Sequence, residues 1–463
     1  MPFLGACAVP HPPLILPEIG RGEENKISDT INAYKEVAHW VVANNPDVVV
    51  ITSPHATMYA DYMQISSGAR AQGSFANFGH PELSFDVEYD EKFVQQVAKA
   101  AEGIKLATGV LGQQRGDLDH GTMIPLYFLQ KAGYRGKIVR VGLSGLSNIH
   151  HYSLGVLLRE TANKLNRRLI IVASGDLSHK LKADGPYGFA EEGPVFDKRM
   201  ADCFADGDFL KLLTTPSKLA EGAAECGLRS FWIMAGAFDC LEVDAELLSC
   251  EGPFGVGYGV ARFTPKGENS GRNIGEQAVD SHKKTMAALR EKEDAYLRLA
   301  RTSLESYVRY HKHIEVPDAL PEEMLNTRAG AFVSIKKAGQ LRGCIGTILP
   351  VRDNLAAEII ANAISAGTGD PRFPAVTEAE LDDLVYDVDV LSKPEPISSP
   401  AELDVKRYGV IVGSQDNHRR GLLLPDLEGV ETVEEQIAIA RRKGNIGPEE
   451  PIRLWRFEVT RHE

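Results

Sequence analysis

Three histidines each follow a run of apolar and β-branched residues: His11 after residues 4–9, His55 after 48–52 and His179 after 169–173. If those runs are strands of one open α/β sheet, their C-terminal ends face a common crevice, and imidazoles far apart in sequence meet there. His11 lies in Val9-Pro-His-Pro-Pro13 and His55 in Ser53-Pro-His-Ala56, where proline stiffens the chain around the ring. Imidazoles held in this way lose little entropy on coordination, and neutral histidine nitrogen suits iron or zinc.

A third ligand is offered by Ala223-Ala-Glu-Cys-Gly-Leu-Arg229, ahead of a helical run over residues 230–240. Glu225 completes a two-histidine, one-carboxylate set, the arrangement that leaves positions on Fe(II) open to substrate and O2. Cys226 is its rival, and a thiolate there makes the site softer. His120, in Asp119-His-Gly-Thr122, and His179, in Ser174-Gly-Asp-Leu-Ser-His179, have the acid/base character that oxygen chemistry requires beside a metal. Asp119 and Asp176 either orient these rings or add a ligand.

Each residue also has a plainer reading. A lone histidine after a strand is commonly a hydrogen-bonded structural residue, a carboxylate at a helix start complements the dipole, and a buried cysteine is inert. Four histidines in such places together favour a site.

The elements that must position them are legible in outline. Residues 1–265 alternate strand-like runs, such as 47–52, 137–141 and 168–173, with helical patterns, which predicts a layered α/β domain with a mostly parallel sheet. Two further strand-like runs, 246–250 and 256–263, close this part around a glycine-rich turn. A polar stretch at 266–292 reads as a linker that continues into a charged helical pattern. Apolar residues at helical spacing over 294–308 then open a second domain, 293–463.

The length of 463 residues fits two domains at roughly 100–200 residues or somewhat more each. A net charge of −13 argues against affinity for nucleic acid, and Arg441, Arg442 and Lys443 read as a solvated helix end. No run of about 18 apolar residues predicts a membrane span, and the opening Met1-Pro-Phe-Leu-Gly5 lacks a signal-peptide pattern, so a cytoplasmic protein is expected. Six cysteines without CxxC spacing are expected to be free thiols or a single ligand.

Taken together, the segments around His11, His55, His120 and His179, with Glu225-Cys-Gly-Leu-Arg229, resemble the class III extradiol ring-cleavage dioxygenase B-subunit (LigB) family and its Memo-like relatives. That resemblance implies metal ligation by His11 and His55, acid/base roles for His179 and His120, and a third ligand at Glu225 or, as in Memo-like members, Cys226. Leu341-Arg-Gly-Cys-Ile-Gly-Thr347, Asn354-Leu-Ala-Ala-Glu-Ile-Ile360 and Asp370-Pro-Arg-Phe373 resemble an AMMECR-type domain, which implies a smaller α+β fold. The two together are similar to the AmmeMemoRadiSam system protein A family, whose name implies a radical-SAM partner.

Read from the residues, 341–347 is a buried strand, Cys344 a structural thiol, and Arg342, Asp370 and Arg372 an anion site or an ion pair. The expectation is an Fe(II)-dependent extradiol-type enzyme, with zinc or copper as alternative metals, acting on a catechol-like aromatic and O2. The alternative is a metal-binding partner of a radical-SAM enzyme, and a zinc hydrolase ranks last. The sequence leaves room for a homo-oligomer.

Overall fold

In the computed structural model four strands form the parallel centre of one sheet: β1 (Phe3–Val9), β2 (Val48–Ser53), β3 (Lys137–Gly142) and β4 (Leu169–Ser174). β5 (Leu241–Glu251) and β6 (Tyr258–Glu268) form a hairpin that adds to it antiparallel through β6, giving the order β3-β2-β4-β1-β6-β5. The structure describes residues 2–113, 116–416, 418–427 and 429–463; Met1, part of the opening segment considered above, lies outside them.

Side chains alternate strictly across the central strands, and both faces are buried, which is why these strands read as nearly continuous apolar runs. On one face Val48, Val50, Leu169, Ile171, Ala6 and Ala8 pack against helices α2 (Glu91–Gly103), α4 (Asn148–Leu165), α5 (Glu192–Asp206) and α6 (Leu228–Gly236). On the other, Val49, Ile51, Ile170, Val172, Cys7 and Val9 pack against α1 (Ser28–Ala43) and α3 (His120–Lys131). This two-faced burial fixes the register, because a slip of one residue would exchange the two apolar sets.

The chain divides into two units, Met1–His282 and Lys283–Glu463, with the boundary inside the helix Ile274–Lys292. The polar stretch at 266–292 is therefore the end of β6, a short 3-10 turn and this helix.

The second unit is α+β. A four-stranded sheet orders Gln340–Gly346, Gly330–Lys337, Leu384–Leu391 and Val459–His462, all antiparallel. The helices Ala295–Tyr310 and Leu355–Thr368 cover it through Leu297, Leu304, Ile359 and Ala363. A second antiparallel sheet contains Gly409–Ser414 and packs on Val433–Lys443, whose last turn holds Arg441, Arg442 and Lys443 as a helix end.

The strand Gln340–Gly346 differs from its expected burial, since it is an edge strand and Leu341 is 41% exposed. Its outer side is closed by side chains instead of a further strand. Asp370 Oδ2 accepts from Cys344 N at 2.9 Å, while Arg372 Nη2 donates to Cys344 O at 3.3 Å and to Asp370 at 2.7 Å. Arg342 pairs with Glu380, so both arginines are in ion pairs. Covering an edge strand in this way blocks pairing with another chain. The six cysteines are free, and Cys344 Sγ accepts from Ser334 Oγ at 3.2 Å. No helix among the described residues is long and apolar enough to cross a membrane.

Candidate metal centre

β2, β4 and β1 are parallel neighbours and end at Ser53, Ser174 and Val9, so the residues that follow them converge as the strand order requires. His11 is almost fully buried, at 2% exposure. His55 is exposed and His120 half-buried, so the group opens to solvent on one side. His55 Nε2 lies 3.0 Å from His11 Nε2, and the His120 ring centroid is 3.9 Å from that of His55 and 5.5 Å from that of His11.

Two serines at strand ends hold this group. Ser174 Oγ donates to the Gly121 carbonyl at 2.6 Å and lies 2.9 Å from His11 Nδ1. A hydroxyl has one proton, so the Nδ1 side must carry the other, and His11 keeps a bare Nε2 lone pair aimed into the cluster. Ser53 Oγ donates to Asp119 and accepts from His55 N at 3.2 Å. Asp119 in turn caps α3 by accepting from Thr122 N at 3.0 Å, which sets His120 as the first residue of that helix. Gly121 is required by the crowding: a Cβ there would lie 2.4 Å from Ser53 Oγ.

On the other side of His11, Asp176 Oδ1 accepts from His11 N at 2.8 Å, and Asp176 N donates to Cys226 Sγ at 3.3 Å. Cys226 Sγ is 3.7 Å from His11 Nε2. This juxtaposition depends on two glycines that touch, because a Cβ on Gly175 would lie 2.1 Å from Gly227 Cα. Glu225, the neighbour of Cys226, points elsewhere: its Oε2 accepts from Leu228 N at 2.6 Å at the start of α6.

Burial keeps the imidazoles and the thiol uncharged. Burial, reinforced by neighbouring histidines, pushes His11 and His120 down to about 3, and burial lowers His55 and His179 as well. Burial raises the Asp176 carboxyl to about 6 against the pull of the His11 N–H, raises Glu225 to about 7, and keeps the Cys226 thiol protonated. Neutral imidazoles with free lone pairs, beside a thiol that only a cation would deprotonate, make a metal-ready donor set.

Ligand atoms of His11, His55 and His120 lie within 4.8 Å of one another, as do those of His11, Asp176 and Cys226, and His11 belongs to both groups. Imidazole with sulfur suits iron, copper or zinc and not magnesium or calcium. A metal therefore fits these residues.

Residues 5–261 match the family model described as the catalytic LigB subunit of aromatic ring-opening dioxygenase. The chain belongs to the LigB family. Residues 297–462 match AMMECR1, so a LigB-type unit is fused to an AMMECR1 unit. The same fusion length recurs in protein CA_C1420 of Clostridium acetobutylicum, which is 39% identical over 471 aligned positions, all of both chains. A Thermotoga maritima protein is 54% identical over 174 positions, which is 37% of this chain and 98% of its own. Among solved structures, the uncharacterized protein PH0010 of Pyrococcus horikoshii is 34% identical over 36% of this chain and 88% of its own, with a TM-score of 0.34.

LigB proteins depend on a metal. In this LigB unit the structure groups His11 with His55 and His120, and separately with Asp176 and Cys226, and sets Glu225 at a helix start. His179 lies outside both close groups but near enough for its charge to act on His11. Its backbone N–H is tied to Ala223 O at 3.0 Å, and its Nε2 is enclosed without a partner. Sequence reasoning gave no role to Ser53 and Ser174. Their signal was position, as the last residue of β2 and of β4.

Proposed function

We propose that the LigB unit is a non-haem metal enzyme of the extradiol type, with His11, His55 and Cys226 as ligands and a catechol-like aromatic and O2 as substrates. The observation that carries this is the position of His11 Nε2, which lies 3.0 Å from His55 Nε2 and 3.7 Å from Cys226 Sγ and so belongs to two groups of potential ligands. Fe(II) held there would anchor two vicinal substrate oxygens and pass electron density to O2.

The chain's own residues do the rest. Ser174 fixes the His11 tautomer, and Asp176 holds the His11 backbone, so the ligand is aimed before anything binds. His179 and His120 are uncharged imidazoles beside the cluster and would serve to accept a proton from a substrate hydroxyl and return it as the ring opens, His120 as the weaker base because burial and the neighbouring histidines lower it further. Incubating anaerobically Fe(II)-loaded protein with a panel of catechols and then O2 tests this. A coloured ring-fission product is expected, and bound iron without product from any catechol would remove the ring-opening reading.

A second reading is favoured by one observation, the engagement of Glu225 in the α6 cap with Cys226 left beside His11. With sulfur in place of the carboxylate, the LigB unit would hold iron, copper or zinc as a metal-binding partner of a radical-SAM enzyme, the AMMECR1 unit supplying docking. Co-purification with a radical-SAM enzyme encoded nearby supports it. Failure to associate with that enzyme or change its activity would count against it.

A further inference from the structure

β3 carries a charge where its pattern calls for an apolar side chain. Arg140 is level with Ile51 of β2, and Ile138 precedes it by two on the same face, the one that packs against α1 and α3. Arg140 is 3% exposed there. Burying a guanidinium at such a position is costly unless it is paired and hydrogen-bonded.

Its partners lead into the metal centre. Arg140 Nε donates to Ser66 Oγ at 2.7 Å, Nη1 donates to the Asp117 carbonyl at 2.7 Å, and Nη1 lies 3.8 Å from Asp119 Oδ2. The stretch from Asp117 to Asp119 that Arg140 holds runs directly into His120, the first residue of α3. Asp119 passes the hold on: its Oδ1 accepts from Ser53 Oγ and Thr122 N, and its Oδ2 accepts from Thr122 Oγ1 at 3.0 Å. Ser53 Oγ in turn accepts from His55 N. A Cβ on Gly121 would lie 3.1 Å from Asp119 Oδ1 and 3.3 Å from His55 Cδ2, so carboxylate and ring are packed around one point. The charge of Asp119 acts on His11, His55 and His120.

We propose that Arg140 is a positioning residue of the metal centre, which acts through Asp119 to hold His55 and His120 in place beside His11. The inference rests on the metal-centre reading above and adds to it the buried cation that fixes two of its rings. Without the guanidinium, the Asp119 side chain keeps its charge in a site where it is only 12% exposed, and turning it toward solvent releases both Ser53 and the start of α3.

The test is a double-mutant cycle on the full-length chain with Co(II) as the probe, under anaerobic conditions. Competition against a chelator gives Kd, and visible absorption reports the ligand field. Arg140→Met is expected to raise Kd about 10-fold and to shift the Co(II) bands, while in the Asp119→Asn background the same substitution adds almost nothing. Arg140→Lys, which returns the cation, is expected to recover most of the loss. If Arg140→Met does not fold, the Arg140→Met/Asp119→Asn pair, which carries neither charge, is compared with Asp119→Asn and answers the same question. A Kd unchanged or lowered in Arg140→Met, an equal loss in Arg140→Lys, or a factor that multiplies in full onto that of Asp119→Asn overturns the inference while the metal centre stands. No binding of Co(II) by the unaltered chain would remove both.

Discussion

Ser174 Oγ lies between His11 Nδ1 and the Gly121 carbonyl, at 2.9 Å and 2.6 Å, and its single proton goes to the carbonyl. The His11 tautomer is thereby decided by a strand-end hydroxyl, with Nε2 bare toward His55.

Ser174→Ala removes that control. Loss of a hydrogen bond that orients a metal-bound histidine usually costs about 10- to 100-fold in metal affinity. Competition against a chelator is expected to show a fall of this size, with circular dichroism unchanged. An unaltered affinity would mean that Ser174 does not set the ligand.

Glu225 and Cys226 face different partners, Leu228 N and His11. Cys226→Ser is expected to lose most of the bound metal, because Cys226 Sγ lies 3.7 Å from His11 Nε2. Glu225→Gln should leave the metal stoichiometry as it is, while Glu225→Ala should cost about 1 kcal/mol of stability through the lost hydrogen bond to Leu228 N. Metal analysis and urea unfolding of the three variants check this, and the opposite pattern of metal loss would give the ligand role to Glu225.

The placement of the histidines was legible because it follows from topology: three parallel strands that end side by side must bring His11, His55 and His179 to one edge. The choice between Glu225 and Cys226 was not legible. Adjacent residues differ only in side-chain direction, and that direction is set by the contact of Gly175 with Gly227 and by the open N–H of Leu228, neither of which leaves a periodic signal. The edge position of Gln340–Gly346 was hidden for a related reason. Its outer neighbours are the side chains of Asp370 and Arg372, so an edge strand carries the apolar and glycine content of an inner one.

Asp370 therefore has a measurable structural load. Asp370→Ala leaves Cys344 N without an acceptor and Arg372 without its carboxylate, and a buried donor left unpaired costs roughly 1–3 kcal/mol. A lower urea midpoint and concentration-dependent association through the uncovered edge are expected. Stability and solution behaviour like those of the unaltered chain would contradict the capping role.

Asp197 makes stability depend on pH. Burial raises its carboxyl from the ordinary 3.8 to about 7, although Ser178 N donates to it at 2.7 Å. The folded state then holds a proton that the unfolded chain has released, so this group's contribution is intact below about 3.8 and is progressively lost as pH rises to about 7. Asp197→Asn keeps the acceptor oxygen and removes the titration. Relative to the unaltered protein, its urea midpoint should be higher at pH 7 than at pH 4.5, and a constant offset between the two proteins would rule the shift out.

The central claim is a metal centre built on His11, and metal content answers it most directly. Protein purified anaerobically and analysed by mass spectrometry should contain close to one equivalent of a transition metal per chain, and His11→Ala, folded to the same extent, should contain almost none. Equal metal occupancy in His11→Ala would contradict the site.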